Sequence, residues 1–275
     1  MKLRYLFAVV GVMAIAETAA AHEFWIEPSK YQVESNAAFE ADLRNGEKFR
    51  GIRQSFFPNR NTRIEIVMGD RVIPVEGRMG DRPAIAIDAP AQDGLLIAVH
   101  EAAPNQITYK TWEKFLKFAD HKDFSDAASD HEARGWAKEN FKETYTRHSK
   151  SLIAVGDGAG MDRALGLATE FVALDNPYDA GFDGVMEVAL FYEGAPRADA
   201  QIEVYEKPTG DDGEAVVSIV RTDAAGRAEV PVKPGMEYLF DAVVLRPAAD
   251  AKTVDAGPVW ETLWAALTFA VPAQD

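Results

Sequence analysis

The chain has 275 residues, 47% of them hydrophobic and 27% charged, with no cysteine and a formal net charge of −15. That length builds one large or two small domains with a substantial core. The lack of cysteine removes disulfides, thiolate metal sites and every cysteine-based mechanism, and the negative charge repels nucleic acid and anionic lipid.

Residues 1–21 read as a secretory leader. Lys2 and Arg4 form a basic start, residues 6–15 are apolar, and Ala19 and Ala21 make an A-x-A cleavage site. The apolar run falls short of the roughly 20 residues of a membrane helix, so the leader is expected to be removed and the mature chain to be periplasmic. Counting Lys2, Arg4 and Glu17, the leader carries +1, so a chain starting at His22 carries −15 − 1 = −16. Cleavage gives His22 a free α-amine beside its imidazole, and such nitrogen donors suit copper, nickel and zinc. The alternative is that any residue can follow the cut, and that Phe24-Trp25-Ile26 simply enters a core as the first strand.

Up to about residue 110 the pattern is short strands between turn signals. They are expected at 24–33 (broken by Pro28), 38–43, 62–68, 72–75, 84–87, 94–99 and 106–110. Asn45-Gly46 reads as a turn, and Gly69-Asp70-Arg71 as the turn of a hairpin. From Trp112 to Ala119, apolar residues at i, i+3, i+4 and i+7 predict a helix. A second helix is expected over 125–148, with Ser125 as N-cap and Ala137, Phe141, Tyr145 and His148 along one stripe, weakened at Gly135. Strands then return at 150–155, 168–174, 186–192, 201–206, 215–221, 228–232, 237–245 and 262–269, with Trp260 and Trp264 expected in the core. The expected fold is mainly β. It has two antiparallel β-sandwich units, Ig-like or prealbumin-like, at 22–110 and 150–275, with a helical insertion at 111–149.

Several segments in order resemble one family. They are Ala21-His22-Glu23-Phe24-Trp25-Ile26-Glu27-Pro28 directly after a leader, and Tyr145-Thr146-Arg147-His148-Ser149-Lys150-Ser151. Leu174-Asp175-Asn176-Pro177-Tyr178, Thr222-Asp223-Ala224-Ala225-Gly226 and Trp260-Glu261-Thr262-Leu263-Trp264 follow. Together they resemble the exported bacterial family of uncharacterised domains labelled NikM-like, after the periplasmic component of nickel and cobalt uptake. The resemblance spans the mature chain. It implies a periplasmic β-rich protein that handles a transition metal, and it transfers no ligand set. His148 and His100 depart from the pattern.

The imidazoles are His22, His100, His121, His131 and His148, and no H-x-H, H-x3-H or HExxH spacing joins any two. His22 is the leading metal candidate, with His100 or His148 as partner and Glu23 or Glu27 in support. Against this, His100 reads as a strand-end histidine bonded to backbone, and His148 as a buried, satisfied one. His121, in Asp120-His121-Lys122-Asp123, reads as a solvated loop, and His131 as a helix-surface residue. No GxSxG or Walker loop is present, and Gly156-Asp157-Gly158-Ala159-Gly160 reads as a loop. The expected function is binding of a divalent metal (nickel or cobalt, or else copper) without turnover, in support of uptake. The partners would be the ion and a membrane transporter or outer-membrane receptor. The alternatives are a non-catalytic carbohydrate-binding, adhesion or receptor-associated sandwich, and a histidine-brace copper enzyme.

Overall fold

Strand periodicity dominates this computed structural model, which describes residues 22–90, 92–251 and 257–274; the expected leader lies outside them. The first strands are β1 (Glu23–Pro28), β2 (Gln32–Val33), β3 (Phe39–Glu47), β4 (Arg50–Gln54) and β5 (Asn61–Met68). Next come β6 (Arg71–Pro74), β7 (Ile85–Ile87), β8 (Gly94–Ala102) and β9 (Asn105–Tyr109), then the helices α1 (Trp112–His121) and α2 (Ala127–Ala133). The long β10 (Phe141–Val155) leads to β11 (Thr169–Ala173), β12 (Val185–Tyr192), β13 (Ala195–Pro196) and β14 (Gln201–Pro208). The chain closes with β15 (Val216–Arg221), β16 (Arg227–Pro231), β17 (Met236–Pro247) and β18 (Pro258–Ala270).

The fold is mainly β and sandwich-like, as the sequence predicts. A central sheet runs β15-β14-β17-β18-β10-β8-β5-β6, with β2 and β9 also paired to β10. A front sheet is made of β1, β3, β4 and β7, and a back sheet of β11, β12, β13 and β16. The β10–β18 pairing is parallel, and β10 also pairs with β8 and β9, so strands from before and after the helices share the central sheet. The two-residue period of β8 sorts its side chains. Leu95, Ile97 and Val99 join Leu152, Leu267 and the back-sheet residues Phe171 and Val188. Leu96 and Ala98 join Ile26, Phe39 and Ile153 under the front sheet.

α1 lies where its periodicity predicts, and Phe115 and Phe118 pack with Trp260 and Trp264 in the core. The second helix does not reach residue 148. It stops at Ala133, ahead of Gly135 at φ 67°, and residues 141–155 form the longest strand. Thr144, Thr146, Ser149, Ile153 and Val155 favour a strand over a helix, and that preference outweighs the chance spacing of Phe141, Tyr145 and His148. Asn45-Gly46 is not a turn either: both residues lie in β3, opposite Phe24 and Glu23 of β1. Gly46 is needed there because a Cβ would sit 2.0 Å from the Arg50 carbonyl oxygen. The chain reverses at Lys48 and Phe49, both at positive φ (53° and 59°) as a type I′ hairpin turn requires. The strained Phe49 is offset by complete burial against Trp25, ring centroids 5.4 Å apart.

Lys150 shows how the back of the central sheet is tied. Its ammonium is buried and donates to Asp162 Oδ2 (2.7 Å), the Arg163 carbonyl (3.0 Å) and the Phe171 carbonyl (2.9 Å). The Asp162 carboxylate also accepts the Ala173 N–H at 2.9 Å. Removing one partner strands a buried charge, whereas removing both does not. Lys150→Met is therefore expected to cost about 3–5 kcal/mol in urea denaturation. Adding Asp162→Asn should recover a large part of that loss.

Candidate functional site

β1 pairs with β3 on one edge only. The carbonyls on its other edge are taken by side chains of the central sheet. Arg147 Nη2 donates to His22 O (2.8 Å), Ser149 Oγ to Phe24 O (3.1 Å) and Thr268 Oγ1 to Ile26 O (2.7 Å). Alternate residues supply these carbonyls because alternate carbonyls of a strand point to the same edge. The seams fix which way each β1 side chain points. Phe24 and Ile26 turn towards β8, while Glu23 and Trp25 turn towards β14 and β17.

On the Phe24 side a cleft of about 440 Å³ opens between the front and central sheets. Its wall carries the amides of Asn45, Asn59, Asn61 and Asn105, the rings of Phe24, Tyr145 and His100, and the cations Arg60 and Arg147. Among the described residues its lining contains no carboxylate, in a protein of net charge −15. Phe24 stacks on the His100 ring at 5.0 Å.

The His100 tautomer follows from its neighbour. Asn61 Nδ2 donates to the Phe57 carbonyl at 2.9 Å, so Asn61 Oδ1 is the atom 2.8 Å from His100 Nε2. His100 Nε2 therefore carries the hydrogen and Nδ1 is a bare lone pair, buried and without a partner. Burial, helped by His148 and Arg147, pushes the His100 pKa down to about 3, so the ring is neutral. Asn45 Oδ1 and Arg147 Nε are likewise buried without a partner. Three unsatisfied polar atoms thus belong to residues of one cleft wall, and unsatisfied groups are uncommon enough in folded proteins to mark a site.

On the Glu23 side lies a buried charge cluster. Lys122, just past the end of α1, donates to Glu203 Oε2 (2.8 Å) and Asp241 Oδ2 (3.0 Å). Tyr205 Oη contacts Glu203 and lies 3.1 Å from Glu23 Oε1. One hydroxyl hydrogen serves one acceptor, so a proton on Glu23 completes the second contact. The electrostatics agree: burial, then the Asp241 charge, push Glu23 up to about 7. Burial also pushes at Glu203, but its bonds from His121, Lys122 and Tyr205 win and hold it at about 2.

A family model described as "Domain of unknown function (DUF4198)" matches residues 19–246. The chain belongs to that family. A search of curated proteins yields no match. Among solved structures the chain is similar to trypsin-activated alpha-2-macroglobulin from Escherichia coli, at 11% identity and a TM-score of 0.24. A Salmonella alpha-2-macroglobulin mutant gives 12% and 0.23. Either alignment covers 90% of this chain but 15% of the other, so this chain spans a small part of their length. Likeness at that score carries no argument.

The histidines expected to bind metal do not converge. His100 shares the β8 face of Leu96 and Ala98, under the front sheet. His148 lies on the other face of the central sheet, with Lys150 and Leu152, and its Nδ1 donates to the Trp264 carbonyl at 3.1 Å. The sheet separates the two rings. His22 is half-buried at the start of β1, with Nε2 3.7 Å from Glu47 Oε1. Among the described residues no group of three or more His, Asp or Glu is placed to hold a metal ion. The donors present fit a bare divalent ion poorly, because the cleft pairs one free imidazole nitrogen with two guanidinium cations.

The remaining histidines serve the fold. His131, expected on a helix surface, is fully buried; its Nε2 donates to the Ala137 carbonyl (3.0 Å) and its Nδ1 accepts from Trp260 Nε1 (3.0 Å). His121 lies with Nε2 2.9 Å from Glu203 Oε1 and its side chain 64% exposed. Asn45, Asn61 and Arg147 were invisible as site residues because nothing in their spacing marks them.

Glu23 makes a pH prediction. Its folded pKa of about 7 lies above the ordinary 4.5, so the folded state holds a proton that the unfolded state has lost between those values. That contribution to stability is complete below pH 4.5 and is lost as pH rises to 7. Glu23→Gln keeps a donor for Tyr205 Oη and removes the charge. Relative to wild type it should gain up to about 3 kcal/mol between pH 4 and pH 8, by urea denaturation at each pH. A constant difference across that range would show that Glu23 has an ordinary pKa.

Proposed function

We propose that this is a periplasmic binding protein, without turnover, whose ligand is a small polar solute held in the cleft between the front and central sheets, against Phe24 and His100. The observation that carries the reading is the unsatisfied trio Asn45 Oδ1, His100 Nδ1 and Arg147 Nε behind one wall of the cleft. The cleft is of the size small-molecule sites have, and it joins apolar rings to a few polar groups of fixed direction. Export rests on the leader signature at residues 1–21. Among the described residues no helix is long and apolar enough to cross a membrane.

The NikM-like resemblance, with nickel or cobalt uptake, supplies a second reading. Its support is His22 itself, held by Arg147 through its carbonyl and close to Glu47. In this reading the freed α-amine and imidazole are the anchor donors, and a membrane transporter or outer-membrane receptor takes the ion.

Thermal denaturation of the 22–275 protein separates the two. The panel is glucose, glycine, succinate, citrate, nickel, cobalt and copper chlorides. A solute at ten times its Kd stabilises by about 1.4 kcal/mol, or roughly 3 °C in a domain of this size. Ala103→Trp, which fills the cleft from its half-exposed rim, is expected to abolish the shift given by the organic ligand. If no organic solute shifts Tm, or if Ala103→Trp leaves the shift intact, the cleft reading fails. A metal shift that survives Ala103→Trp but disappears with one extra N-terminal residue assigns the protein to the second reading.

A further inference from the structure

The charge pattern of the buried cations is uneven. Lys122 is paired with Glu203 and Asp241, Lys150 with Asp162, Lys207 with Glu237, and Arg44 with Glu27. Arg147 is different. Among the described residues no carboxylate lies within ion-pair distance of its guanidinium. It faces the rings of Tyr145 (4.5 Å), Trp264 (5.7 Å) and Phe24 (5.8 Å), donates to the His22 carbonyl, and is hydrogen-bonded to the Tyr145 side chain. Asp241 and Glu143 attract it only from beyond ion-pair distance, so the desolvated charge is compensated in part. Burial accordingly pulls the Arg147 pKa below the ordinary guanidinium range.

Arg60 stands on the rim of the same cleft, over the Phe57 ring at 4.8 Å. The amides of Asn59 and Asn105 are exposed beside it. Two cations and several N–H donors therefore meet a space that offers no anionic acceptor. A carboxylate suits that donor set, because a guanidinium fork pairs with it in two parallel bonds. A neutral sugar suits it less: its hydroxyls could donate to Asn45 Oδ1 and His100 Nδ1, but they would leave both guanidinium charges without a counter-ion. A bare cation is repelled.

Resting on the cleft reading above, we infer that the ligand is a small organic carboxylate, bound with its charge on Arg147 and Arg60. The neutral analogue of the ligand is the cleanest control, since it leaves the protein untouched. Isothermal titration of the 22–275 protein should show succinate or citrate binding. Succinamide, which has the shape of succinate without its charge, should bind at least tenfold more weakly. Arg60→Gln, a rim substitution outside the core, should weaken succinate three- to tenfold with Tm unchanged. Succinamide equal to succinate, or Arg60→Gln without effect, overturns the carboxylate assignment. If glucose or glycine binds in an Ala103→Trp-sensitive manner and the carboxylates do not, this inference fails and the cleft reading stands. If nothing in the panel binds, both fail.

Discussion

Side chains, not a neighbouring strand, hold the free edge of β1. Arg147, Ser149 and Thr268 rise from β10 and β18 and each takes one carbonyl. A neutral bond of this kind contributes about 1 kcal/mol net, and one from a charged donor about 1.5–3 kcal/mol. The sum is modest beside the burial of Trp25 and Ile26, but its geometric effect is large. A sheet edge left open is a liability, and here it is closed against the molecule's own central sheet. The register of that closure sends Phe24 to His100 and Glu23 to Tyr205.

β1 thereby separates two electrostatic environments. On one side Glu23, Glu203 and Asp241 gather around Lys122, and burial, reinforced by the excess of carboxylates, keeps a proton on Glu23 near neutral pH. On the other side Arg147 sits among rings, with Asp241 and Glu143 attracting it only from beyond ion-pair distance. An acidic protein has many carboxylates with which to neutralise an arginine, and here the nearest cluster is used on Lys122 instead. The missing partner of Arg147 and the spare carboxylate at Glu23 lie on opposite faces of the same strand.

Much of this fold was legible because strand and helix periods are local. The α1 stripe, the β5–β6 hairpin and the core role of Trp260 and Trp264 all follow from spacing that their own residues impose. Residues 141–155 were misread because Phe141, Tyr145 and His148 satisfy a helical stripe by coincidence. Gly135 and the threonine-rich composition carry the opposing signal. Asn45-Gly46 was misread because a turn dipeptide is also what a crowded hairpin needs where β4 crosses close to β3. The site was less legible than the fold. Opposite faces of a strand cannot be assigned between His100 and His148 until their strands are paired, and only then do the two rings separate. Arg147 gains meaning from what is absent around it, which no local pattern records.

The tautomer and charge of His100 test this arrangement most directly, since they depend on how β1, β5 and β10 place Phe24, Asn61 and Arg147 around the ring. Nitrogen-15 NMR of histidine-labelled protein across pH 4–8 reads both. The structure predicts a neutral ring throughout, with its hydrogen on Nε2 and an unbonded Nδ1. A His100 that titrates near the ordinary 6.5, or that carries its hydrogen on Nδ1, would contradict the account of the cleft wall.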